Sequence, residues 1–178
     1  YMASNLHDRL LTRPFLTDIE KSWLIFQLFQ CLEIAHSQDV IHGDIKPENV
    51  LCTGWNFLVL TDFSPYKPTN IPSDDPTDFK YFFDSSGRRS CCVAPERFVP
   101  REQLGSTSHN NNDIDDYGDN SDHDGGGDDR HSGLTFAMDV FSLGCTIAEV
   151  HLDSSTALFD LPSMLSYVVN KDNAKGID

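Results

Sequence analysis

Positive charge is scarce in this chain of 178 residues: 13 Lys and Arg stand against 28 Asp and Glu, a formal net charge of -15. So acidic a surface repels phosphate backbones, which argues against a nucleic-acid groove and against a polybasic membrane anchor. Long apolar runs are lacking as well. None approaches the roughly 20 residues that a membrane-spanning helix needs, and no signal-peptide pattern is visible at the start. The five cysteines (Cys31, Cys52, Cys91, Cys92 and Cys145) contain no C-x-x-C pair. They read as reduced thiols of a cytosolic protein, with Cys31, Cys52 and Cys145 as small core residues in apolar surroundings. No glycine precedes Gly43, so no Gly-rich phosphate loop stands upstream of it.

What is present begins with a helix. Thr17-x-x-Glu20 is a capping box immediately before an apolar run. From Ile19 to His36, Leu24, Leu28, Cys31, Leu32 and Ala35 recur at helical spacing. Ile25, Phe26 and Phe29 make the run apolar on nearly every side, which predicts a helix buried all round, the pillar of a domain. Short apolar pieces follow at Val40-Ile41, Val50–Cys52 and Phe57–Leu60. Thr53-Gly54-Trp55-Asn56 joins the last two as a hairpin turn. The polar loops between them are therefore expected at strand ends, held by a rigid scaffold. Pro65–Pro76 reads as an extended loop. The rings of the aromatic cluster Tyr81-Phe82-Phe83 need a packing partner, which predicts that this loop is held rather than free. Phe136–Val150 and Leu158–Val169 read as further helices, the second with Pro162 tolerated in its first turn.

Residues 102–133 differ from the rest. Between Asp113 and Arg130 there are eight Asp against a single Arg. A stretch so acidic buries too little to fold and repels itself, so it is expected to be a disordered insertion. Asn120–Gly125 partly matches a calcium loop, but such a loop needs Asp first and Glu twelfth. Those places hold Asn120 and His131, and calcium binding is not expected.

Three motifs lie between the helices in fixed order: His42-Gly43-Asp44-Ile45-Lys46-Pro47-Glu48-Asn49, then Thr61-Asp62-Phe63-Ser64, then Ala94-Pro95-Glu96. Together they resemble the catalytic loop, the metal-binding turn and the end of the activation segment of a protein kinase. Four residues separate Asp44 from Asn49, as the D-x-x-x-x-N loop requires. A lone Asp in a loop is usually a cap or turn residue; inside three ordered motifs Asp44 and Asp62 ask for another reading. The resemblance narrows further. HGDIKPEN with Gly in place of Arg, LTDFSPYKPTNIP with Ser in place of Gly, DPTDFKYFFD and RRSCCVAPERF, with the opening NLHDRLLTRPFL, are together similar to one family. That family is the protein-kinase-like regulatory subunit of the class III phosphatidylinositol 3-kinase.

The resemblance implies a mainly α, protein-kinase-like fold. It implies a partial C-terminal lobe with a short β-hairpin at the active-site loops and the N-lobe absent, since no V-A-I-K lysine or αC glutamate can be placed. Residues 1–101 would be the first part of that lobe, with helices D and E, the catalytic loop and the activation segment. Residues 102–133 would be the acidic insertion, and 134–178 the continuation through helices F and G. It implies ATP and Mg²⁺ as cofactors of the intact domain. Asp44 would be the catalytic base, and Lys46 would balance charge beside the transferred phosphoryl group. Asn49 and Asp62 would hold the metal, and with Lys46 the nucleotide. His42, Glu96 and Asp139 would be structural, Asp139 as the buried helix residue that receives catalytic-loop amides. Gly43 removes the arginine that usually receives an activation-loop phosphate. Ser64 replaces a glycine that permits backbone angles Ser tolerates poorly. These changes leave two functions open: a serine/threonine kinase, or a catalytically weak scaffold. By the same resemblance the partners would be the lipid kinase catalytic subunit and a Beclin-type subunit. Action would be in autophagy and endosomal or vacuolar sorting, on membranes reached through a myristoyl group, helical repeats and a WD40 propeller outside this chain.

Overall fold

The computed structural model describes residues 2–84, 86–104, 133–152 and 157–175. Most of the insertion expected at 102–133 therefore lies outside the described residues. Strand β1 (Met2–Asn5) leads directly into helix α1 (Leu6–Leu11). The Asn5 side chain accepts the Asp8 N–H at 2.8 Å and so caps the first turn. Helix α2 (Asp18–Ser37) begins at the expected box: Glu20 N–H donates to Thr17 Oγ1, and Thr17 N–H donates back to Glu20 Oε2 at 2.8 Å.

Strands β2 (Val50–Thr53) and β3 (Leu58–Leu60) form the expected hairpin, and β1 pairs antiparallel with β2, giving the order β1-β2-β3. Asn56 closes the turn at φ 58, a left-handed conformation that Asn tolerates. Val40-Ile41 is not a strand. After α2 the Val40 N–H turns back to the Ala35 carbonyl at 3.0 Å, which leaves these residues in a helix-exit turn rather than beside a partner strand.

The loop after Asp62 is extended as expected but carries a two-residue strand, β4 (Ile71–Pro72). Helix α3 (Thr77–Phe82) follows. Strand β5 (Phe98–Val99) pairs parallel with β4, and helix α4 (Arg101–Leu104) comes next. Helix α5 (Phe136–His151) and helix α6 (Leu161–Lys175) complete the described chain. Pro162 sits at the second position of α6, where a missing N–H costs nothing. Asp160 and Ser163 exchange hydrogen bonds across that entrance at 2.9 and 3.0 Å.

Two larger apolar clusters, beside a small one of Ala94, Leu134 and Met138, hold these elements. Leu24, Leu28 and Leu32 of α2 meet Leu6, Ile45, Val50, Leu58, Leu143 and Val150. Burying each Leu or Val side chain is worth about 1.5–3 kcal/mol. Phe79, Phe83, Phe98, Ile71 and Met164 make the second cluster, which packs the end of the 61–99 segment onto α6. Phe83 is buried as the aromatic cluster required, whereas Tyr81 is 76% exposed. Helix α2 departs from the expected all-round burial. Its Leu24–Ala35 stripe is buried, but Trp23, Phe26, Phe29 and Ile34 on its other faces are exposed, the Trp23 ring stacking on Phe26 and meeting Phe57 edge-on.

Candidate active site

The loop 42–49 links the end of α2 to β2, and its backbone is fixed from below by α5. Asp139, buried near the start of α5, accepts the His42 N–H at 2.8 Å on Oδ2 and the Gly43 N–H at 2.9 Å on Oδ1. His36 Nε2 lies 3.0 Å from the same Oδ2, so the charge is shared among three donors. A buried carboxylate needs such partners. His42 is fully buried; its Nε2 meets the Thr61 carbonyl at 2.8 Å and its ring lies 4.5 Å from that of Phe63. Burial pushes the His42 imidazolium down from its ordinary value of 6.5, although the Thr61 carbonyl, Asp139, Asp44 and Asp62 all favour the charged form. A neutral ring that donates from Nε2 leaves Nδ1 to accept the Asp44 N–H at 3.2 Å.

Asp44, Lys46 and Asn49 come together in one buried cluster. Pro47–Asn49 forms a 3₁₀ turn, which swings Asn49 back so that Nδ2 donates to the Asp44 carbonyl at 2.8 Å and to Asp44 Oδ2 at 3.0 Å. Lys46 Nζ lies 3.0 Å from the same oxygen and donates to the Phe83 carbonyl at 2.7 Å. With Nδ2 committed, Asn49 Oδ1 is the atom of that amide left for a cation. Thr61 donates from its N–H and its hydroxyl to the Asn49 carbonyl, at 2.9 and 3.1 Å. That places Asp62 one residue beyond a direct link to Asn49. Asp62 is exposed at φ 59, an angle that Asp tolerates better than most residues. Asn49 and Asp62 thus supply hard oxygen donors on adjoining loops. This donor set fits Mg²⁺, which takes one or two protein ligands and keeps its waters. Among the described residues no cluster of three or more His, Cys, Asp or Glu forms a cage for a softer metal.

The two departures from the usual motifs, Ser64 and Gly43, differ in backbone conformation. Ser64 takes an ordinary φ; its N–H reaches the His42 carbonyl at 2.7 Å and its hydroxyl the Asp62 carbonyl at 2.7 Å. Gly43 takes the left-handed angle, at φ +80, which glycine adopts without strain and a side chain would not. Glu96 stands apart: it is exposed, at the 3₁₀ turn Pro95–Arg97.

Three cations that the motifs do not single out complete the site. Lys67 Nζ donates to Asp44 Oδ2 at 2.6 Å and lies 5.3 Å from the centre of the Phe83 ring. Arg97, only 2% exposed, donates to the carbonyls of Gly43 at 2.7 Å, Pro68 at 2.7 Å and Thr69 at 3.0 Å. Burial brings its pKa down to about 10, against the pull of Asp44 and Asp139, so it keeps its charge at neutral pH. Arg88 Nη2 donates to Glu149 at 2.6 Å, while its Nη1 lies 3.2 Å from Glu48 Oε1. That second arm is weaker, since neither Nη1 nor Glu48 Oε2 makes a hydrogen bond. Burial works against the Arg88 cation, but the Glu149 hydrogen bond and the two carboxylate charges outweigh it and raise its pKa. Each of these contacts joins residues far apart in sequence, so no short motif encodes them.

The comparisons with known proteins agree with this geometry. The sequence profile of the protein kinase domain matches residues 1–115. The Serine/threonine-protein kinase VPS15 of Arabidopsis thaliana is 46% identical over 167 residues, 94% of this chain and 10% of that protein. The Serine/threonine-protein kinase vps15 of Schizosaccharomyces pombe is 45% identical over 167 residues, again 94% of this chain and 8% of the relative. The 3-phosphoinositide-dependent protein kinase 1 of Arabidopsis thaliana is only 26% identical, over 83% of this chain and 24% of its own length. The chain spans about a tenth or less of the VPS15 proteins it matches. No helix among the described residues is long and apolar enough to cross a membrane. The chain belongs to the protein kinase family, in its VPS15 branch.

Proposed function

We propose that this chain is the C-lobe part of a kinase domain that, in the intact protein, transfers the γ-phosphoryl group of ATP to a Ser or Thr hydroxyl. The observation that carries the reading is the joining of Asp44, Lys46 and Asn49 at one carboxylate oxygen. Asp44 orients the acceptor hydroxyl and takes its proton as the hydroxyl oxygen bonds to phosphorus; the bond from phosphorus to the β-phosphate oxygen breaks, and ADP leaves. Lys46 balances the charge of the phosphoryl group in transit. Asn49 and Asp62 would hold Mg²⁺, which when bound neutralises the nucleotide phosphates. His42 and Asp139 position the loop and touch no reactant. Glu96 has a structural place in the same fold. Residues 102–133 form an acidic insertion that separates the 1–101 and 134–178 parts of the lobe.

The motif resemblance supports a place for the intact protein in the class III phosphatidylinositol 3-kinase complex. There it would contact the lipid kinase and a Beclin-type subunit on endosomal or autophagic membranes from the cytoplasmic side. The scaffold reading keeps a specific observation in its favour: Gly43 leaves no arginine to take an activation-loop phosphate, and the activation segment is tied down by internal cations instead. The two readings part in one assay. Intact protein supplied with Mg-ATP and a Ser/Thr peptide should phosphorylate the peptide, and Asp44→Asn should abolish this. A scaffold binds its partners in both forms and transfers nothing in either.

A further inference from the structure

We propose that Lys67 is an internal latch on the catalytic base, occupying the acceptor that a substrate hydroxyl requires; the proposal rests on the kinase reading of Asp44. A carboxylate oxygen offers about two lone-pair directions. Asp44 Oδ2 already faces Asn49 Nδ2 at 3.0 Å, Lys46 Nζ at 3.0 Å and Lys67 Nζ at 2.6 Å. Asn49 and Lys46 belong to the 42–49 loop itself. Lys67 is the outsider, brought in by the segment after Asp62, and its contact is the shortest of the three.

The segment that carries Lys67 is built to hold it there. The Lys67 N–H turns onto the Ser64 carbonyl at 3.2 Å, so the side chain leaves a tight turn rather than a loose loop. The next two carbonyls, of Pro68 and Thr69, are gripped by buried Arg97, which grips Gly43 with its remaining arm. The Lys67 ammonium and the Arg97 guanidinium both lie over the Phe83 ring, at 5.3 and 4.7 Å. Phe83 in turn accepts Lys46 on its carbonyl. One ring therefore ties the latch, the clamp and the loop together, and Asp44 is only 5% exposed. A hydroxyl reaches Oδ2 only when Lys67 withdraws, and the ties of Pro68, Thr69 and the Phe83 ring oppose that withdrawal. The latch so defined is closed with Lys67 on Oδ2 and open with it withdrawn, and an anion that draws Lys67 away would favour the open form.

The test is made in full-length protein with Lys67→Met and Lys67→Gln, with Asp44→Asn as the variant that removes the latch's partner. Amide exchange at Ser64 and Lys67 should accelerate about tenfold in all three, the loss expected for a hydrogen bond to a charged group. Amides of α5 should stay protected, which shows that the fold survives. Peptide kcat/KM should rise about tenfold in both Lys67 variants, through a lower peptide KM. Unchanged exchange at Ser64 and Lys67 would overturn the latch. So would a fall in kcat, or a raised KM for ATP, in the Lys67 variants, since Lys67 would then serve the reaction. Faster exchange with no phosphate transfer by any form supports the latch and removes the kinase reading, so the two fail separately.

Discussion

A Cβ placed on Gly43 would lie 3.2 Å from both Leu134 Cδ1 and the Ser64 carbonyl oxygen, at a φ of +80 that side chains rarely adopt. Restoring the family's usual arginine with Gly43→Arg therefore costs about 1–3 kcal/mol of backbone strain, before any clash. Urea unfolding of wild type and variant should show that loss; an unchanged midpoint would mean the loop relaxes freely. Arg97 is the counterpart on the other side of the loop. Arg97→Met strands buried carbonyls at about 1–3 kcal/mol, and Arg97→Lys rescues little, because one ammonium does not reproduce a planar fork of donors. His42 gives the molecule a pH dependence with a definite sign. Its folded pKa is depressed by burial, so between that value and the ordinary 6.5 the unfolded chain binds more protons than the folded one. Stability from this group is complete above about pH 6.5 and declines as pH falls toward the folded value. Asp75 and Asp160, whose hydrogen bonds to Thr77 and Ser163 hold their pKa values below 3.8, lose their contributions only at lower pH. Thermal unfolding between pH 7.5 and 5.5 should show a decline that His42→Asn removes.

At the scale of elements, the capping box of α2 is a self-contained unit. Thr17→Ala should cost about 1 kcal/mol, read as a lower Tm with unchanged chemistry at Asp44. That box, the Leu24–Leu28–Leu32–Ala35 stripe and the turn at Asn56 were all legible in the sequence, because each is decided by neighbours within a few residues. The D-x-x-x-x-N spacing was legible for the same reason: a 3₁₀ turn at Pro47 is enough to bring Asn49 onto Asp44. What was not legible is long-range. Lys67 meets Asp44 across 23 residues, Arg97 meets Gly43 across 54, and Arg88 meets Glu149 across 61. A cation in a loop carries no mark of the carboxylate or carbonyl it will find. The exposed faces of α2 are not legible on related grounds, since apolarity says that a face needs cover but not whether this chain supplies it.

At the scale of the whole molecule, the described residues hold the loop of Asp44 and Asn49 and the turn of Asp62, without a segment that matches a Gly-rich phosphate loop. Residues 1–178 alone should therefore transfer no phosphate from Mg-ATP, and turnover by the purified chain that Asp44→Asn leaves intact would refute both that expectation and the role of Asp44. In the full-length protein, Asp62→Ala should lose the thermal stabilisation that Mg-ATP gives the wild type. The most direct test of the central claim is the rate of phosphoryl transfer to a Ser/Thr peptide by full-length protein, wild type beside Asp44→Asn. The account predicts measurable transfer by the wild type and a loss of about 10²–10⁴-fold in the variant, the usual contribution of a positioned general base. Equal rates in the two proteins would contradict it.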